Sequence, residues 1–190
     1  RPGQETWFGF RRDSPAKTFG FAYDAAPTAT PQRMVSDAEK RLLQSATTSN
    51  RQLTNGDFSN GLTGWEREEG AANFRIPPSD TATALTTYGA NKEADRGRLF
   101  QCFQVPTNAT ELQFKLSGGA DSANLYVALW DGNRLVRKMT ARNDNAPFQV
   151  RWNIETLRGK TITLEIVDHK TGPWAFLAAG GFAFGPEKSL

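Results

Sequence analysis

The sequence predicts an all-β protein, an antiparallel jelly-roll β-sandwich preceded by an extended N-terminal arm and one short helix. Three observations carry this. From Leu53 onward apolar and polar residues alternate with period two, turn residues interrupt the alternation at short intervals, and no long amphipathic helices intervene. A sheet with one apolar face needs a second apolar surface to cover it, so many short strands close into two packed layers. The 190 residues suffice for one domain with an appendage. The chain accordingly divides into an arm with its helix over 1–50 and a sandwich over 51–190.

Taken in order, the arm holds aromatics in irregular context (Trp7, Phe8, Phe10, Phe19, Phe21 and Tyr23), followed by Pro27 and Pro31. Trp7, Phe8 and Phe10 are too apolar for a free tail and are expected to pack on the sandwich or on a neighbouring chain. Ser36 with Glu39 three residues on fits a capping box, opening a helix over 37 to about 46 whose apolar face is Ala38, Leu42 and Leu43. So narrow a face must lean on another element, and the cluster Thr47, Thr48, Ser49 and Asn50 ends the helix.

In the sandwich, Leu112, Phe114 and Leu116 point one way and Glu111, Gln113 and Lys115 the other. Ile162, Leu164 and Ile166 likewise oppose Thr161, Thr163 and Glu165, so each strand is expected to keep one wet face. Phe148, Val150 and Trp152 repeat the pattern, whereas residues 99–105 and 125–130 are apolar on both faces and read as central strands. Asp131-Gly132-Asn133 is a hairpin turn, because Gly and Asn tolerate positive φ. Gly118-Gly119 and Arg158-Gly159-Lys160 mark further turns.

Composition narrows the function classes. The net charge is only +3, with Lys and Arg scattered among Asp and Glu, which argues against nucleic acid as a partner. The single cysteine, Cys102, allows neither an intramolecular disulfide nor a Cys-rich zinc cage and reads as a buried, inert thiol. No stretch approaches the roughly 20 apolar residues of a membrane-spanning helix. The start at Arg1-Pro2-Gly3 has no signal-peptide profile, and the chain is expected to belong to something longer.

Three segments carry a family resemblance. Leu53-Thr54-Asn55-Gly56-Asp57-Phe58, with Gly64-Trp65 after a short spacer, resembles the opening signature of galactose-binding-like modules. Trp152-Asn153-Ile154-Glu155 through Gly159-Lys160 is similar to a segment of such modules attached to levanase-type glycoside hydrolases, and Gly172-Pro173-Trp174 through Phe182 resembles their closing motif. The resemblance implies a galactose-binding-like sandwich acting as a non-catalytic carbohydrate-binding accessory module of a larger secreted or cell-envelope protein. Polysaccharide and neighbouring domains of the parent chain would be its partners. Related modules also occur in proteins that are not glycosidases, so a structural or protein-interaction domain stays open as the alternative. The family often places carboxylates where this chain has Ser59 and Gly180, so its calcium site is expected to be degraded, with no metal and no cofactor held.

Sugar recognition uses exposed aromatic rings beside planar hydrogen-bonding groups. Trp65 and Trp152 lie in framework motifs and read as core. The candidates are Tyr88 before an apparent loop, Trp130, Arg142 and Asp144 in a polar hairpin tip, and His169 and Trp174 in the loop leading to the closing motif. For each a structural role is the competing reading. His169, the sole histidine, has no nucleophile motif beside it, and adjacent Glu68 and Glu69 point to opposite sides of a strand, so no catalytic residue is expected.

Overall fold

The computed structural model describes residues 32–68, 70, 74–76, 85–88 and 95–185. The expected docking of Trp7, Phe8 and Phe10 falls outside them, as does Glu69. A five-stranded sheet runs β1 (Glu66–Glu68), β3 (Gly97–Gln104), β8 (Thr161–Asp168), β5 (Leu125–Asp131), β6 (Arg134–Met139). A four-stranded sheet runs β2 (Leu85–Thr86), β9 (Leu177–Gly185), β4 (Glu111–Gly118), β7 (Asp144–Asn153). All neighbours pair antiparallel, and sequence-distant strands lie side by side, β3 on β8 and β4 on β9. The all-β sandwich that the alternation predicts is the fold. Gly132-Asn133 closes the β5–β6 hairpin, with Gly132 at φ 61°.

The facing layers bury the apolar half of each alternation. Leu112, Phe114, Leu116, Val150 and Trp152 meet Leu99, Phe103, Val127, Leu129, Ile162, Leu164 and Ile166, all essentially inaccessible. The motif residues turn out to be this core's aromatic end. Phe58 stacks on Trp65 with centroids 4.9 Å apart, Trp65 lies 5.7 Å from Phe182, and Phe182 stacks on Phe114 at 4.9 Å. Asn55 fixes the entry loop: its side-chain amide donates to the Gly61 and Thr63 carbonyls, and its own carbonyl accepts from Trp65 Nε1 at 3.1 Å. Phe182 N donates to the Gly56 carbonyl at 3.0 Å, and a Cβ on Gly56 would lie 2.1 Å from the Phe182 carbonyl oxygen. Opening and closing motifs are thus two halves of one packing unit.

On the outer face of the five-stranded sheet the structure departs from expectation. Thr163 and Glu165, read as the wet side of β8, are buried, because α1 (Asp37–Ser49) lies across that face. Leu42, Leu43 and Ala46 pack on Phe100 and Cys102 in a second, smaller core. The Ser36 hydroxyl caps the helix by accepting from Glu39 N at 3.2 Å, and Asn50, in the left-handed region at φ 49°, ends it three residues later than expected. The Glu39 side chain does not complete the capping box. It turns into the sheet, where Arg98 Nη2 donates to it at 2.7 Å, Thr163 Oγ1 at 2.6 Å, and both terminal nitrogens of Arg33 bind it.

Arg98 is the node of this network. Its Nε donates to Glu165 at 2.7 Å, Nη1 to Glu68 at 2.7 Å and Nη2 to Glu39, joining β3, β8, β1 and α1. Burial disfavours the Arg98 charge, but Glu165 and Glu39 outweigh it and hold the guanidinium firmly protonated. Burial also pushes Glu39 up, against hydrogen bonds from Arg33 and Thr163 and the charges of both arginines, which leave it below the usual carboxylate range. Removing one partner of such a cluster strands the others, which typically costs about 3–5 kcal/mol. Glu39→Ala is expected to lose that much in urea denaturation, with hydrogen-exchange protection falling first over residues 39–49. Glu39→Gln, which keeps the hydrogen bonds, should lose less.

Candidate functional site

Five of the six site residues named from sequence fall at one end of the sandwich. Across the four-stranded sheet this end reads Tyr88 after β2, Trp174 and Phe176 before β9, Gly118 and Gly119 at the end of β4, and Arg142 to Asp144 leading into β7. The ladder fixes that order: Gly118 pairs with Leu177 on one side and Asp144 on the other, and Gly119 N donates to the Phe176 carbonyl at 2.9 Å. His169 follows β8 at the same end, its N–H donating to the Asn124 carbonyl at 2.7 Å.

Three rings form a row on this rim. Phe176 lies between Tyr88, edge-on at 5.6 Å, and Trp174, stacked at 6.0 Å with planes 19° apart. Tyr88 is 37% exposed, while Trp174 and Phe176 are half-buried. Sequence reasoning missed Phe176, which lies inside the closing motif and was not named as a candidate. Spacing could not have found it, because Trp174 sits in a turn at φ 60° and the period-two rule of an extended strand does not hold there. Arg75 Nε donates to the Tyr88 carbonyl at 2.8 Å, setting a guanidinium beside the row.

The rim is built under constraint. Trp174 adopts φ 60°, a conformation that bulky residues rarely hold without strong support. That support is a tight backbone approach, since a Cβ on Gly119 would lie 1.9 Å from the Trp174 carbonyl oxygen. Asp168 ties the ring-bearing segments together. Fully buried, it accepts from Thr87 Oγ1 at 2.5 Å and from Lys170 N at 3.1 Å, while Thr87 exchanges backbone and side-chain bonds with Leu177. One carboxylate therefore fixes the residue before Tyr88, the loop that leads to Trp174, and the strand that follows Phe176.

The remaining candidates divide. Arg142 lays its guanidinium 3.9 Å from the Phe148 ring centre, and Asp144 accepts from Ala146 N at 2.9 Å, so both side chains are exposed yet locally engaged. Trp130 does not join the rim. It is only 6% exposed, its Nε1 donates to Glu165 at 2.6 Å, and the Arg33 guanidinium covers its face at 4.6 Å, which leaves no ring face for a sugar. Cys102 is buried, and burial pushes its thiol up to about 11. At the expected calcium position Asp57 accepts from the backbone and hydroxyl of Ser59, a local turn. Among the described residues no three His, Cys, Asp or Glu side chains come together to hold a metal ion.

Among the described residues three carboxylates, Glu39, Glu68 and Glu165, gather around Arg98, and each binds one of its nitrogens. Glycoside hydrolysis needs one carboxyl kept protonated near a second, exposed to substrate. Salt-bridged glutamates do not offer that, and Asp168, which does hold a proton more tightly than usual, is sealed from solvent.

No protein-family model matches the chain, and no curated protein matches it by sequence. Solved structures do resemble it. A family 61 carbohydrate-binding module in complex with β-1,4-galactotriose is 16% identical, with 72% of this chain and 99% of that one covered and a TM-score of 0.46. The K1 cleaved adhesin domain of Lys-gingipain from Porphyromonas gingivalis is 12% identical over 68% of this chain and 95% of that one, with a TM-score of 0.45. A family 28 module specific for non-crystalline cellulose is 13% identical over 70% and 93%, with a TM-score of 0.43. These likenesses are of β-sandwich architecture, and the function has to be argued from this chain's own surface.

Asp168 gives the rim a pH signature. Burial, outweighing the hydrogen bonds from Thr87 and Lys170 N, raises its carboxyl from 3.8 to about 6. The folded protein then binds a proton that the unfolded chain has released, so stability is greatest below the unfolded value and falls as pH rises from about 4 to about 6, by at most about 3 kcal/mol. Glu39 and the other carboxylates held low act below this window and with opposite sign. Urea melts between pH 4.5 and 7 are expected to show the decline in the native protein and its absence in Asp168→Asn.

Proposed function

We propose that this chain is a non-catalytic carbohydrate-binding accessory module of a larger secreted or cell-envelope protein, and that it holds sugar at the rim of Tyr88, Phe176 and Trp174. The observation that carries the reading is the row of three rings at one end of the sandwich. Pyranose C–H faces pack on aromatic rings, and a row of rings contacts successive residues of a chain rather than one monosaccharide. Arg75, Arg142 and Asp144 supply planar groups around the row for reading hydroxyls. The role as an accessory to a larger protein draws on the motif resemblance. No helix among the described residues is long and apolar enough to cross a membrane.

A glycan array spanning plant, algal and bacterial polysaccharides, followed by titration calorimetry on the responders, tests this. Trp174→Ala and Tyr88→Ala are each expected to weaken binding by about tenfold or more, roughly 1.4 kcal/mol, with the thermal midpoint nearly unchanged. Silence across the array would remove the carbohydrate reading and leave a protein-docking role for the same rim.

A further inference from the structure

A groove of about 460 Å³ opens on the outer face of the five-stranded sheet, within the size range of small-molecule sites. Strands β8 and β5 form its floor, and residues 33–36 and strand β6 form its walls. Tyr126 and Trp130 line it together with Arg33, Lys138 and His169, beside the Arg98-bound carboxylates of Glu68 and Glu165. It is unlike the rim in chemistry. The Trp130 face is covered by Arg33 and the Tyr126 face by the Lys138 ammonium, 3.7 Å from the ring centre, so the groove presents cations instead of bare rings.

The charges of the groove are unequally satisfied. Arg98 uses three nitrogens on Glu39, Glu68 and Glu165, and Arg33 places both terminal nitrogens on Glu39. The acidic groups near Lys138 are already engaged: Glu165 by Arg98 and Trp130, and Asp121 by Asn124 and, at 3.8 Å, Lys170. Lys138 itself rests on Tyr126 and makes no ion pair among the described residues. Burial lowers its proton affinity, with the charges of Glu165 and Asp121 opposing. A second donor is also unspent, because among the described residues Arg33 Nε is buried without an acceptor.

We propose that this groove is a second binding site, separate from the rim, which takes a saccharide bearing a carboxylate, with Lys138 pairing the carboxylate beside the Arg33 guanidinium. That the ligand is a sugar rests on the reading of the rim; that it is an anion rests on Lys138 and Arg33.

Titration calorimetry with trigalacturonic acid and with neutral β-1,4-galactotriose, at low and high NaCl, tests it. The acid is expected to bind about tenfold tighter than the neutral sugar at low salt, with the advantage shrinking as salt rises. Lys138→Gln should abolish the advantage, Lys138→Arg should keep most of it, and Trp174→Ala should leave it in place. Thermal midpoints confirm that the variants fold. Acid binding that is absent, no tighter than neutral binding, or indifferent to Lys138→Gln overturns the proposal. Neutral binding retained alongside that failure spares the rim, whereas loss of all glycan binding across the array overturns both.

Discussion

The guanidinium of Arg98 is the interaction on which the rest of the architecture depends. A β-sandwich normally leaves the outer faces of its sheets to water. Here the outer face of the five-stranded sheet carries Arg98, Glu165 and Thr163, which are buried and must find partners within the protein. Glu39 supplies one partner by turning inward from the first turn of α1, and Glu68 supplies another from the sheet edge. The helix is therefore held by charge as much as by its short apolar face. Its placement is specific, because a slide of one turn would separate Glu39 from Arg98 and Thr163 together.

That cover gives the molecule two cores back to back. The larger is sealed at one side by the aromatic group of Phe58, Trp65, Phe114 and Phe182, and the smaller lies under α1. With one sheet face largely roofed, two features stand out on the surface of the described residues, the sandwich end and the groove beyond the helix. These differ in kind. The rim offers rings held in place by a buried carboxylate, and the groove offers cations laid over rings.

What could be read from the residues follows from how local the deciding physics is. Period-two strands such as β4 and the Gly132-Asn133 turn are set by neighbours in sequence, and both were legible. Trp65 and Trp152 were legible as core from the framework motifs that hold them. Glu39 was misread because an acidic residue three positions after Ser36 satisfies a local rule, while its actual partners, Arg98 and Thr163, lie far along the chain. The buried side of β8 was misread for a related reason: alternation shows which residues share a face but not what lies over it. At the site, Tyr88 and Trp174 were visible singly. Their meeting through Phe176 was not, because it depends on β2 pairing with β9, some ninety residues away.

Among the described residues strand β2 pairs with β9 at Leu85 and Thr86, Thr86 also bridges to Arg75, and Tyr88 lies just beyond them. The backbone under the outermost ring is thus held through Thr87 and Arg75, while the ring itself stands at the surface. Phe176 and Trp174 are fixed by the close approach to Gly119, but position 88 faces no such limit. On the proposed function, ligand preference at this end is open to retuning one side chain at a time while the framework stays intact, which makes the rim a ready place to graft a new specificity.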